Sequence, residues 1–190
     1  MTNTLRIPAV PDAELGPLEI VAAVRQRRGG TLLNLDRMLL NSPAYAIGWN
    51  GFLGAVRNHL ALDPRLRELA ICAVAVLNGA DYELDQHAPE FLQAGGTQAQ
   101  LVALQELALR SDDILFDGSF DAAELATLAL TREMTLHVTV SDACFERLRL
   151  ALPDPQQQVE LVGVIAAYNM VSRFLVALQV APELPQAASV

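Results

Sequence analysis

Four side chains able to do chemistry fall within one stretch, ELAICAVAVLNGADYELDQH, residues 68–87: carboxylates at Glu68 and Glu83, a thiol at Cys72 and an imidazole at His87. Glu68 and Cys72 are four residues apart, and so are Glu83 and His87, the spacing that places two side chains on one helix face. Between the pairs stands Asn78-Gly79, a helix stop and a turn. At about 1.5 Å of rise per residue, Glu68 and His87 lie about 15 and about 12 Å from that bend, level with each other on neighbouring rods. A carboxylate among Leu69, Ile71, Val74 and Val76 loses hydration, which disfavours its charged form unless a cation or donor faces it. His87 is the partner this spacing offers. Two structural alternatives stand beside that reading: Glu68 and His87 only satisfy one another across a helix pair, or Glu68 points to solvent beside Arg65 and Arg67. Pro89 removes an amide and crowds the carbonyl of Asp85, so a kink just beyond His87 is expected.

The elements that must hold these groups read as helices almost throughout. Pro17 to Arg28 ends on Gly29-Gly30, and a short helix follows through Leu40. Ser42-Pro43 supplies an N-cap and a first-turn proline for a helix to about His59, and Asp63-Pro64 repeats the device before the quoted stretch. Thr97 with Gln100 and Asp121 with Glu124 have the capping-box spacing. Asp154-Pro155 opens a last long helix to about Gln179. Val138 to Val140 is too short a β-branched run to build a sheet. The expected fold is all-α, about eight helices joined by short loops in a single domain over residues 1–190. Residues 1–17, with Pro8, Pro11 and Pro17, read as an N-terminal arm rather than packed structure. DPRLRELAICAVAVLN from Asp63 and DPQQQVELVGVIAAYN from Asp154 share a capped start, a Glu leading an apolar run and a final Asn. A one-residue offset aligns Glu68 with Glu160, and together these features form a weak internal two-fold repeat.

Composition narrows the partners. Thirteen Lys and Arg against 22 Asp and Glu give a formal charge of -9, which offers no source for the counterion release that drives nucleic-acid binding. Hydrophobic residues make up 52% and charged ones 18%, a surplus best placed in a subunit interface, so a homo-oligomer (dimer, trimer or hexamer) is expected. The longest uninterrupted apolar runs, Leu69 to Leu77 and Val162 to Tyr168, fall short of the about 20 residues a bilayer demands, and no membrane partner is expected. No basic-then-apolar leader opens the sequence. Cys72 and Cys144 form neither a CxxC nor a secreted framework, which suits a reducing cytoplasm; both also fit as small buried hydrophobes.

The spacing of Glu68 and His87 resembles the carboxymuconolactone decarboxylase and alkylhydroperoxidase D superfamily. Its redox branch carries Glu, eleven residues, Cys, two residues, Cys, three residues, His. Glu68 and His87 fall in register, but Ala80 and Glu83 occupy the two cysteine positions. The likeness runs on through HAPEFLQAGGT, where His87, Gly95 and Thr97 resemble the decarboxylase branch, and reaches AAYNMVSRF; it covers residues 43 to about 180. Without the cysteine pair, the resemblance implies the decarboxylase-like branch: cofactor-free acid-base chemistry on a small carboxylated or lactone-like molecule. His87 is then the acid, oriented by Glu68, with Glu83 as a second proton carrier or a group repelling a substrate carboxylate. Tyr168 is the donor to an enolate oxygen, and Arg173 the grip on a carboxylate or else a surface ion-pair partner.

Other residues have plainer readings. Trp49, beside Gly48 and Gly51, either roofs the pocket or belongs to the core. His59 and His137 sit at helix ends, where a cation complements the dipole. A metal on Glu68, Glu83 and His87 is geometrically conceivable, but no ligand cluster of recognised spacing occurs, and none is expected. Two rival functions remain: a thiol peroxidase relative working through Cys72 alone, and a non-catalytic binder of a small molecule.

Overall fold

The computed structural model describes residues 5–107 and 118–183. Among these residues it contains nine α-helices and no strand: α1 Leu18–Arg27, α2 Asn34–Leu39, α3 Pro43–Asn58, α4 Pro64–Asn78, α5 Asp81–Gln93, α6 Gln98–Leu107, α7 Ala122–His137, α8 Asp142–Ala151 and α9 Pro155–Leu178. The all-α expectation holds, and the capping signals explain why the helices start where they do. Asp63 accepts from the amide of Arg65 at 2.7 Å ahead of α4. Thr97 and Gln100 close the reciprocal box at the start of α6, and Asp121 and Glu124 do the same for α7, each satisfying amides that the first turn leaves without a helical partner.

The helices sort into two compact units, Met1–Asn58 with Leu175–Val190 and His59–Phe174. The second unit is built around α4, which packs against α5, α6 and α7. Leu66 and every residue from Glu68 to Ala75 are buried, so this helix is apolar on all sides because neighbours cover it on several. Leu69, Cys72 and Ala73 join Phe91, Leu101, Leu104, Phe120 and Leu128 in one cluster, each full burial of a large side chain contributing about 1.5–3 kcal/mol. Gly79 ends α4 at φ 62 and ψ 38, a left-handed cap that glycine adopts without strain. The chain then turns directly into α5. At the far end of α5, a Cβ on Gly96 would stand 2.3 Å from the ring of Phe91, so glycine there lets that buried ring lie against the turn.

The internal repeat has a structural counterpart. Asp154 caps α9 through the amide of Gln156 at 2.9 Å, as Asp63 caps α4, and the two final asparagines meet: Asn78 Nδ2 donates to Asn169 Oδ1 at 3.1 Å and to Ser172 Oγ at 2.7 Å. Glu160, aligned with Glu68, does different work. Its Oε2 accepts the amide of Leu62 at 2.7 Å, just ahead of α4.

The first unit holds α1, α2 and α3. Asp36, 1% exposed, gathers Arg27, Arg28 and the amide of Leu33. The arm expected to lie loose is largely exposed yet tied down: Arg6 donates its amide to Leu178, Val10 donates its own to Arg37, and Arg37 pairs with Asp12 at 2.6 Å. Helix α9 is long and apolar enough, by length and composition, to cross a membrane, and half of its apolar window is buried inside the protein. Counting uninterrupted apolar runs overlooked it, because polar residues such as Asn169 interrupt the helix without removing its apolar character.

Candidate functional site

Residues Glu68 on α4 and His87 on α5 meet as the spacing predicts. His87 Nδ1 lies 2.6 Å from Glu68 Oε2, and Glu68 and His87 are each 4% exposed. One turn earlier on α5, Glu83, 2% exposed, places Oε2 at 3.5 Å from His87 Nε2. Tyr168 of α9 meets the imidazole edge-on, ring centroids 5.0 Å apart and planes at 86°. Thus three helices of one unit converge on a single buried imidazole with a carboxylate toward each nitrogen. The α5 helix continues past Pro89 to Gln93.

Electrostatics favours an ionised Glu68. Burial pushes its carboxyl up, but the hydrogen bond and charge of His87 and those of Arg67 pull harder, and the net direction is down from the ordinary carboxylate value. An ionised Glu68 accepts, so the Nδ1 of His87 carries a proton and donates it. Nε2 faces Glu83.

The solvent alternative for Glu68 named the right neighbour and the wrong setting. Arg67 Nε donates to Glu68 Oε1 at 3.0 Å, while the carboxylate stays buried and Arg65 turns instead to Asp121 at 2.8 Å and Glu124 at 3.4 Å. Sequence reasoning did not place Arg67 at the site.

The remaining candidates are placed as follows. Cys72 has no exposed surface and packs in the apolar cluster around α4; burial, and then the charges of Glu68 and Glu83, push its thiol far above its ordinary range. Arg173 donates to the backbone carbonyl of Asn169 at 2.9 Å and to its side chain, within the polar group that Asn78, Asn169 and Thr135 form. Trp49, 4% exposed, belongs to the first unit, its ring tilted against Tyr45 at 5.7 Å. Among the described residues, no group of three or more His, Cys, Asp or Glu is arranged to hold a metal ion.

The sequence profile of the carboxymuconolactone decarboxylase family matches residues 43–133, a segment that contains Glu68, Glu83 and His87. No curated protein matches the chain in sequence. Solved structures match its fold over nearly the whole length. An uncharacterised peroxidase-related protein from Silicibacter sp. TM1040 superposes with a TM-score of 0.74 at 17% identity, covering 96% of each chain. The alkylhydroperoxidase AhpD core of a peroxidase-related protein from Ralstonia eutropha JMP134 gives 0.76 at 17% identity, covering 94% of this chain and 92% of that one. The debrominase Bmp8, solved as a Cys-to-Ala variant with 2,3,4-tribromopyrrole, gives 0.73 at 15% identity, covering 95% and 92%.

Proposed function

The chain belongs to the carboxymuconolactone decarboxylase and alkylhydroperoxidase D-like superfamily, through residues 43–133 of its sequence and through its fold, and on that premise we propose a cofactor-free acid-base enzyme acting on a small carboxylated or lactone-like molecule. The observation that supports this reading is the buried imidazole of His87 between two carboxylates, Glu68 at 2.6 Å and Glu83 at 3.5 Å. Positions 80 and 83, where a redox relative has cysteines, hold Ala and Glu. That a debrominase of this fold was solved with 2,3,4-tribromopyrrole supports a small-molecule occupant.

In such a reaction the bond to the departing carboxylate breaks as carbon dioxide leaves, and its electron pair moves onto a neighbouring carbonyl as an enolate. A proton must then be added to carbon. Protonated His87 gives the Nε2 proton to that carbon, and Glu83, adjacent to Nε2, returns a proton taken from water, so one proton is consumed per carbon dioxide released. Tyr168 stabilises the enolate oxygen by a hydrogen bond from its hydroxyl, keeping its own proton. The negative charge of Glu83 also disfavours a substrate carboxylate relative to the neutral product. Glu68 holds the ring. Arg173, bonded to Asn169, has no part in this reading. The setting that goes with it is a cytoplasmic homo-oligomer whose partner is a small molecule.

A thiol peroxidase working through Cys72 is disfavoured, since the nucleophile would be a thiolate and this thiol is sealed from solvent beside two carboxylates. The test is a thermal-shift screen against small carboxylic acids, lactones and peroxides, followed by measurement of carbon dioxide release from each hit. Stabilisation and release that both vanish in His87→Ala are expected. Stabilisation without any turnover would leave a binder, and peroxide consumption abolished by Cys72→Ser would replace this reading with the thiol one.

A further inference from the structure

Arg67 stands immediately before Glu68 in the sequence and has no role in the chemistry above. Its side chain is 18% exposed and that of Glu68 6%, so the guanidinium lies between water and the buried carboxylate. The two oxygens of Glu68 have different donors: Oε1 takes Nε–H of Arg67 at 3.0 Å, and Oε2 takes Nδ1–H of His87 at 2.6 Å. The other charged and titratable groups at the site are Glu83, Cys72 and Tyr168. Elsewhere on the packed helices, Arg65 and Glu124 pair with each other, Glu133 binds Ser141, and Glu160 binds Leu62. Geometry then singles out Arg67. It is the cation bonded to the buried carboxylate of Glu68, on the oxygen that His87 leaves free.

We propose that Arg67 is the positioning residue of this site: it keeps Glu68 ionised and turned so that its second oxygen holds Nδ1 of His87, leaving Nε2 as the nitrogen through which the site transfers a proton. Without Arg67, the least costly way to relieve the charge is to protonate a carboxyl, and a protonated Glu68 no longer fixes the ring. The role deepens the acid-base reading and rests on it for the word transfer; the protonation behaviour itself is open to measurement without any substrate.

The experiment follows the ring nitrogens of His87 by NMR in the full chain, labelled with 15N-histidine, across an acid titration of the wild type, Arg67→Met and Arg67→Lys. Of the three histidines, His59 and His137 are exposed and His87 is buried, so its signals are separable by their slow exchange with water. In Arg67→Met the acid-side inflection reporting protonation of Glu68 should move up by about one pH unit or more, the effect expected on losing an opposite charge at hydrogen-bond distance. Arg67→Lys should restore most of it. Should Arg67→Met fail to fold, Arg67→Gln, which keeps a donor and loses the charge, takes its place with the same shift expected. A folded variant lacking the charge whose inflection coincides with the wild type would overturn the proposal. Failure of the acid-base reading looks different, with no ligand whose stabilisation depends on His87, and it leaves the inflection unaffected.

Discussion

Cys72 and Glu83 make opposite demands on one small volume, since a thiolate there would be repelled by the charges of Glu68 and Glu83. The protein resolves the conflict by keeping the sulfur neutral: burial, Glu68 and Glu83 all push that thiol up. Cys144 is raised as well, chiefly by burial and then by Glu133. Native protein at about pH 8 should therefore resist iodoacetamide at both cysteines, labelling about tenfold or more slowly than after unfolding. Rapid native labelling of Cys72, read by mass spectrometry, would reopen the thiol peroxidase reading. The Glu68 and His87 pairing was legible in the sequence because two four-residue spacings and one turn bring the two residues level on neighbouring helices, although they leave open whether Glu68 faces its partner or solvent. Arg67 was not, because consecutive helical residues diverge and do not face each other; only a long, flexible side chain folding back onto its neighbour brings the guanidinium to the carboxylate. Arg173 also reaches back along its own helix, to Asn169 four residues before it.

Among the helices, local signals were readable and long-range ones were not. The capping boxes at Thr97 and Asp121 and the aspartate caps at Asp63 and Asp154 are complete within four residues, and each appears as expected. Asn78, by contrast, read only as part of a turn. Its amide in fact bridges to Asn169 and Ser172, 91 and 94 residues away, and nothing local announces such a bond. Asn78→Ala should cost about 1–3 kcal/mol, the penalty for leaving the buried hydroxyl oxygen of Ser172 without its donor, measured by urea unfolding. Gly96→Ala should cost a similar amount, about 1–3 kcal/mol, for a different reason: the added methyl meets the buried Phe91 ring at a distance no packing tolerates, and overpacking forces the core to shift. Val138 carries the opposite sign. It sits at φ 66 with 82% of its surface exposed, a left-handed conformation that a β-branched residue adopts only under strain. Val138→Gly should therefore stabilise the chain by about 1 kcal/mol.

Across the whole molecule, the helical class followed from caps and turns, whereas the partition into two units did not. Helix α9 runs from one unit into the other, its residues up to Phe174 in one and those from Leu175 in the other, so the sequence shows no linker at the boundary. The chain's acidity is where the site and the global stability meet. With 22 Asp and Glu against 13 Lys and Arg, lowering the pH removes much of the net negative charge, and repulsion among the exposed carboxylates falls. Glu68 works against that relief. Its carboxyl is held below the ordinary value of 4.5 when folded, so the unfolded chain binds its proton more readily, and the stability this group contributes is fully present above the ordinary value and lost as the pH falls through the folded one. Glu160 is lowered too, by its bonds to Gln156 and to the backbone ahead of α4, and acts in the same direction. The wild-type melting temperature should therefore drop as the pH is taken from about 6 to about 3. Glu68→Gln, which has no proton to bind, should start lower and fall less, while Glu146→Gln, whose carboxyl pairs with Arg149 in full solvent, should follow the wild-type curve. Parallel wild-type and Glu68→Gln curves over that range would mean that Glu68 protonates in the folded protein as it does in the unfolded one, and the charged centre around His87 would lose its anchor.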